Sequence, residues 1–434
     1  MSVVACEHCD VLIVGGGPAG SSAAATLAAR GHRVVLLEKA RHPRFHIGES
    51  LLPANLPIFE RLGIAAQIRA IGLPKFGAQF HLADPPRAQR FAFAEGWNKA
   101  LPLAYQVRRS EFDTILIRRA AALGARVIEE CRAREVEFTA AGPVLVRADE
   151  AGAERTFQAR YLIDASGRDT FLGNRLGTKL RNRKHESCAM YAHFRGAWRD
   201  PDCARCGDIA LFWFEDGWFW SIPLADGTTS VGAVVWPDYM KRRRQDVRTF
   251  FFETIARCAP LQARLATAEL VSEVQATGSY SYSCARVCGD RYVLIGDAYS
   301  FIDPVFSSGV LFAMVGGLAA GEALDTCLRE PHRARAALRR CTRTVRRGPH
   351  RFAWFIYRMT RPAMQSLFMR PRNPLRVREA LLSLLAGDIF ADTPIGPSLR
   401  AFQAVYLLTA LAMPRRSWAA WMRRTRRLGA ALHG

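Results

Sequence analysis

The chain contains no run of eighteen consecutive apolar residues. The longest candidate, 404–413, is too short to span a bilayer and ends at Pro414-Arg415-Arg416. The first ten residues, MSVVACEHCD, lack a basic stretch followed by an apolar one, so no signal peptide is expected and the expected location is the cytoplasm. Eleven cysteines, an odd number scattered through a long chain, do not form a disulfide framework and fit reduced thiols. Cys6/Cys9 and Cys203/Cys206 have CxxC spacing, but the pairs lie far apart and nothing else supports a metal, so none is expected. Internal repeats and low-complexity linkers are missing too. Acids are scarce where bases collect. From Pro331 to the end there are 21 Arg, no Lys and three acids (Glu379, Asp388, Asp392), a net +18 out of +22 for the whole chain. No recognised nucleic-acid fold accompanies this charge, so no nucleic-acid partner is expected.

What remains is ample for a large core: 434 residues, 50% hydrophobic, enough for one large domain with an appendage or two to three domains. Asp10–Val14 is a mostly apolar strand. It is followed by Gly15-Gly-Gly17-Pro-Ala19-Gly20 and an alanine-rich helix over Ser21–Arg30. A second strand, Val34–Leu37, ends at Glu38 and Lys39. This is the βαβ dinucleotide fingerprint in its full context: glycines permit a tight turn and close approach of a pyrophosphate, the helix N-terminus faces the phosphates, and the acid takes ribose hydroxyls.

A loop, Arg41–Ser50, and an amphipathic stretch, Asn55–Leu62, come next. Pro74-Lys75-Phe76-Gly77-Ala78 begins a strand, and Val107-Arg-Arg109-Ser-Glu-Phe112-Asp113 leads into a helix over Thr114–Leu123. Ala125–Ile128 and Arg160–Ile163 are further strands of the first sheet, the latter closed by Asp164-Ala-Ser-Gly167. Between about Glu186 and Ser283, short alternating runs (Ile209–Phe214, Trp218–Pro223, Ser230–Val235) predict an inserted, mainly antiparallel sheet. Tyr292–Ile295 is a strand that stops at Gly296-Asp297. The turn Asp303-Pro304-Val-Phe306-Ser307-Ser308-Gly309 then opens a helix from Val310 through Leu328. Free N–H groups at that helix start form an anion site, and Asp297 can accept hydrogen bonds from a ribityl chain. The later Val315-Gly-Gly-Leu-Ala-Ala-Gly321 lacks a preceding strand and is expected to serve helix–sheet packing, so a single nucleotide cofactor is expected.

Together these pieces resemble the flavin monooxygenase fold of the p-hydroxybenzoate hydroxylase type, over about three quarters of the chain. That resemblance implies an α/β fold. A Rossmann-like FAD-binding domain (1–330, discontinuous) carries an inserted antiparallel substrate sheet from roughly 75–105 and 180–285, and an Arg-rich helical region (331–434) follows. It implies non-covalent FAD held by Gly15, Gly17, Ala19, Gly20, Glu38, Lys39, Ser50, Arg109, Asp164, Gly296, Asp297, Pro304, Gly309 and Val310. Three features within that fold are similar to the flavin-dependent halogenases: Trp218-Phe-Trp220-Ser-Ile-Pro223 matches their WxWxIP motif, Lys75 stands at their active-site lysine, and Asp303–Gly309 resembles the segment that holds halide.

The resemblance implies that FAD, reduced by a separate flavin reductase, and oxygen convert chloride or bromide to hypohalous acid, with halide at Ser308 and Gly309. Trp218, Trp220 and Ser307 shape the site, and Lys75 presents the acid to an aromatic substrate. Tryptophan halogenases carry a glutamate where this chain has Phe306. The phenol- and pyrrole-type enzymes carry the DPVFSSG form, so a phenolic or related ring is expected, free or tethered to an acyl carrier protein. Alternatives on the same fold are an aromatic hydroxylase and a reductase of the geranylgeranyl type; another is a non-catalytic flavin-binding adaptor. The tail pairs arginines with aromatics (Arg351–Arg358, Arg415–Arg424), which suits an anionic membrane face or an acidic carrier protein, as it suits a solvated surface.

Overall fold

The computed structural model describes residues 6–140, 142–182, 185–414, 418 and 422. Strand β1 (Cys6–Val14) runs longer than expected, because Cys6–Cys9 pair in parallel register with Thr156–Ala159. Helix α1 (Pro18–Ala28) begins with Pro in its first turn, where the missing N–H costs nothing, and strand β2 (Val34–Leu37) lies parallel to β1. The first sheet runs in the order Cys288–Gly289, Tyr292–Leu294, Ala153–Asp164, β1, β2 and Arg126–Ile128. An antiparallel meander, Cys131–Phe138 and Val144–Glu150, extends one strand sideways. Helix α2 (Arg109–Ala122) and helix α3 (Gly309–Arg329) both pack against α1.

By length and composition α3 could cross a membrane, but it is largely buried, held against α1 on one side and α4 (Ala334–Ile356) on the other. Its glycines correct one expectation. Gly317 and Gly321 serve a helix–helix contact: a Cβ at Gly317 would stand 2.4 Å from the Ala19 carbonyl oxygen, and one at Gly321 2.7 Å from Thr26 Cβ. Only Gly316 faces the sheet, at Ile295.

The inserted sheet has the order Glu269–Leu270, Ser187–Arg195, Thr228–Val235, Gly217–Pro223, Ile209–Phe214, Gly77–Leu82 and Arg87–Ala92, with Gln275–Tyr280 also paired to Ser187–Arg195. Only the Ile209–Phe214/Gly77–Leu82 pairing is parallel. Both faces are buried, and the two-residue period assigns them different partners. Phe194, Phe212, Phe219 and Val231 meet the helices Val247–Ala256 and Ala259–Arg264. Leu211, Trp213, Trp218 and Trp220 meet a cap built from the end of α4, Pro362–Met369, Val377–Leu385 and α5 (Gly396–Ala412). The arginine-rich region therefore shares a core with the inserted sheet.

Candidate active site

One large cavity, of about 1220 Å³, runs from the ends of β1 and β2 to the tryptophans of the inserted sheet. Its near end is the glycine loop. Gly15 takes φ +104°, and a Cβ there would fall 2.3 Å from the Ala165 carbonyl oxygen, so only glycine fits. Glu38, 4% exposed, accepts hydrogen bonds from Gly16 N (2.7 Å) and Ala40 N (2.9 Å) and sits 3.7 Å from Arg44 Nε. Lys39 pairs with Asp169 across the cleft.

Arg109 clamps Asp113 with both ends of its guanidinium (2.8 and 3.0 Å) and donates to the Ile47 carbonyl (2.9 Å), pinning the 40–50 loop over the cavity. Burial, opposed by Arg109 and Arg168, pushes the Asp297 carboxyl up to about 6. His46 lines the cavity mouth, with its Nδ1 2.6 Å from the Ile47 carbonyl oxygen.

The far end is built by the start of α3 and the tryptophan strand. Ser307 occupies the left-handed region (φ +54°), turning the chain so that the first α3 amides, from Gly309 onward, face the cavity. A Cβ added at Gly309 would meet nothing within 4 Å, which leaves an open cradle at a helix N-terminus. Trp218 and Trp220 lie on one face of their strand with ring centroids 6.1 Å apart. Gly232 opposite is obligatory: a Cβ there would be 2.2 Å from the Trp220 ring. The Trp220 indole donates to Ser230 Oγ (3.2 Å), and the Trp218 indole donates to Asp303.

Of the residues expected at the site, Gly15, Gly17, Ala19, Glu38, Lys39, Ser50, Arg109, Trp218, Trp220, Asp297, Pro304, Ser307, Ser308, Gly309 and Val310 all line this cavity. Four lie behind its wall instead. Gly20 packs on Gly15, where a Cβ would be 1.9 Å from the Gly15 oxygen. Gly296 packs on Ala19, where an added Cβ would stand 3.1 Å from the Ala19 Cβ. Asp164, fully buried, accepts from Ser166 N (3.0 Å) and Leu172 N (2.7 Å) and shapes the turn that carries Arg168.

Lys75 is the fourth. It ends a short strand, Leu73–Lys75, and is 1% exposed. Its Nζ donates to Ser50 Oγ and the Leu51 carbonyl, both at 2.9 Å, so Ser50 stands between it and the cavity. Burial lowers its pKa to about 7, with Asp208 opposing. Phe306 also turns away from the cavity, packing its ring 6.0 Å from Phe352 of α4.

Sequence reasoning assigned no role to Glu49. It is 1% exposed and lines the cavity; Oε1 bonds His193 Nε2 at 2.8 Å, while Oε2 has no protein partner among the described residues. Phe45 shields this pair, edge-on to His193 and stacked on Tyr191. A lone acid at the end of a basic stretch (Arg41, His42, Arg44, His46) was the available signal. Among the described residues no cluster of three or more His, Cys, Asp or Glu side chains has the geometry to hold a metal.

A cavity floored by a glycine loop, closed by the buried acid Glu38 at one end and open at a helix start at the other has the shape and chemistry for FAD. Comparison with known proteins agrees. Residues 8–341 match the family of FAD binding domains. A 1H-pyrrole-2-carbonyl-[peptidyl-carrier protein] chlorinase from Pseudomonas fluorescens (strain Pf-5) is 31% identical over 406 residues, 88% of this chain and 90% of the relative. The solved myxobacterial chondrochloren halogenase CndH, described as a variant of FAD-dependent halogenases, superposes with a TM-score of 0.78 at 33% identity, covering 93% of this chain and 97% of that one. A flavoprotein/dehydrogenase from Cytophaga hutchinsonii superposes with a TM-score of 0.84 at 25% identity, covering 94% of this chain and 100% of that one.

Proposed function

The chain belongs to the flavin-dependent halogenases, and from that premise we propose that it halogenates an electron-rich aromatic ring of phenol or pyrrole type, with Lys75 handling the hypohalous acid. FAD held by the cavity residues and reduced to FADH2 by a separate flavin reductase would supply the two electrons and two protons with which one dioxygen, one halide ion and one further proton become hypohalous acid and water. The observation that carries the reading is what one cavity brings together: an open helix N-terminus, a wall of two tryptophans, and Ser50 with a buried amine behind it.

In this reading the first-turn amides of α3 at Ser308 and Gly309 hold the halide, because they offer N–H donors and partial positive charge without a carboxylate at the same spot. Trp218 and Trp220 keep the organic substrate off the flavin and so disfavour direct oxygen transfer. Ser50 and Lys75 receive the hypohalous acid: with a pKa of about 7, Lys75 is present in both protonation states near neutrality. The ammonium donates a proton to the leaving hydroxide as the ring takes the halogen, and the ring proton leaves with water. Glu49, held by His193 at the cavity wall, keeps its second carboxylate oxygen buried and without a protein partner among the described residues, available to accept a proton or orient water.

On the far side of Trp218 the space lined by His185, Ser187, Asp303 and Tyr357 measures only about 20 Å³, enough for a water and too small for an aromatic ring. Substrate entry therefore needs the cap to shift. A carrier-tethered substrate fits this requirement, as the pyrrole chlorinase relative acts on one; the enzyme would then work in the cytoplasm beside its carrier and reductase.

The test is to incubate the protein with FAD, a flavin reductase, oxygen and bromide or chloride, offering free phenols and pyrroles and carrier-loaded versions. Products carrying the halogen isotope doublet support the reading. Products carrying oxygen without halogen would instead support a hydroxylase. The likeness to a dehydrogenase favours a second reading, in which substrate is oxidised or reduced with no halide requirement.

A further inference from the structure

The outer face of α5 is apolar where a solvated helix is polar. Its inner side is accounted for: Phe402 packs on Phe355 with centroids 5.7 Å apart, and Tyr406 on Trp354 at 5.2 Å. On the opposite side Leu407, Leu408 and Leu411 are 58%, 67% and 75% exposed, and Ala404 is exposed beside them. Positions 404, 407, 408 and 411 recur at helical spacing and form one stripe. Four of the eleven large hydrophobic side chains exposed among the described residues fall between Leu407 and Trp418, so this is a patch rather than scatter.

The charge beside the stripe is equally one-sided. From Thr393 to the end the sequence has seven arginines and no acid, and six of the seven follow Pro414 together with Trp418 and Trp421. Leucine, tryptophan and arginine without acid is the composition that lies in the headgroup region of an anionic bilayer: apolar side chains enter the acyl boundary and guanidinium groups meet lipid phosphates. An acidic protein partner would satisfy the arginines and leave the leucines in water. A second copy of this chain would cover the leucines and bring two sets of arginines together.

We propose that α5 and the arginine–tryptophan segment after it dock this protein on the surface of an anionic membrane. The stripe lies on the cap that closes the inserted sheet, and α4, which α5 packs against, reaches Phe312 at the cavity. Docking therefore brings the bilayer to the side where substrate must enter. The proposal stands on surface composition and is independent of the reaction catalysed.

Flotation of the full chain with lipid vesicles tests it. The protein is expected to float with phosphatidylcholine–phosphatidylglycerol vesicles at about 0.1 M salt, weakly with phosphatidylcholine alone, and roughly tenfold less at about 0.5 M salt, where charges are screened over a shorter distance. Leu408→Gln with Leu411→Gln is expected to lower partitioning about tenfold or more at either salt. Replacing Arg423, Arg424, Arg426 and Arg427 by Gln is expected to weaken binding to the anionic vesicles alone. FAD titration checks that each variant is folded; neither Leu408 nor Leu411 lines the cavity. Wild-type protein that stays in the aqueous fraction with both vesicles overturns the proposal, as does a leucine double variant that floats like wild type. A concentration-dependent dimer abolished by that double variant, with no flotation, assigns the stripe to a second copy and also overturns it.

Discussion

Lys75 is a residue whose physics departs far from its type. A buried amine with a pKa near 7 and an unfolded value of about 10.4 binds fewer protons in the folded chain between those values. The penalty of burying the charge is complete below about pH 7 and absent above about pH 10.4, so this group makes stability rise with pH across that window, by roughly 1 kcal/mol per pH unit. Urea unfolding near pH 7 and near pH 10 is expected to show wild type gaining on Lys75→Met by that slope. Parallel curves would show that the amine is not desolvated. If Lys75 donates the proton as proposed, halogenation is expected to fall as pH rises through about 7, with Lys75→Arg moving that limb upward. Glu49 contributes from the other side of Ser50: Glu49→Gln is expected to lower the halogenation rate roughly a hundredfold with little change in FAD affinity, checked by single-turnover rates beside a flavin titration. Loss of flavin binding instead would make Glu49 a cofactor residue.

At the scale of elements, the start of α3 is arranged by its neighbours more than by its own sequence. Gly309 has open space where a Cβ would go, so Gly309→Ala is expected to fold with its melting temperature nearly unchanged and to raise the halide KM about tenfold, because the methyl enters the anion cradle. An unchanged halide KM would place the halide elsewhere. Gly317 is the opposite case. Its Cβ would overlap α1, so Gly317→Ala is expected to cost about 1–3 kcal/mol and to loosen FAD with it, read by thermal unfolding with and without flavin.

These elements also mark how far the sequence could be read. The βαβ unit, the tryptophan strand and the helix after Ser308 were legible because periodicity, a glycine turn and a terminal acid coincide there. Which side of the wall a residue occupies was not. Gly20, Asp164, Gly296 and Lys75 sit in the right motifs but face packing partners, since a motif gives position along the chain and not the direction of a side chain. Glu49 and His193 are 144 positions apart, a juxtaposition that only the crossing of the two sheets creates. Phe306 was read for its contrast with a glutamate in related enzymes; in place it anchors α4.

For the molecule as a whole, the two sheets divide the chemistry. The parallel sheet and its glycine loop hold the cofactor, the inserted sheet supplies the tryptophan wall, and Lys75 stands where the two meet, braced through Asp208, which accepts from Phe76 N (3.2 Å) and Arg90 Nε (2.6 Å). The C-terminal cap packs on the tryptophan face of the inserted sheet, and on the proposed reading hypohalous acid is made at one place and spent on a ring at another, beside Lys75. That separation is the central claim. It is tested most directly by measuring two products of Lys75→Met in the same reaction: hypohalous acid trapped by a small thioether scavenger, and halogenated aromatic. The account predicts trapped oxidant close to the wild-type yield with aromatic product reduced at least about a hundredfold. Halogenated product at the wild-type level in Lys75→Met, or loss of the trapped oxidant together with the product, would contradict it.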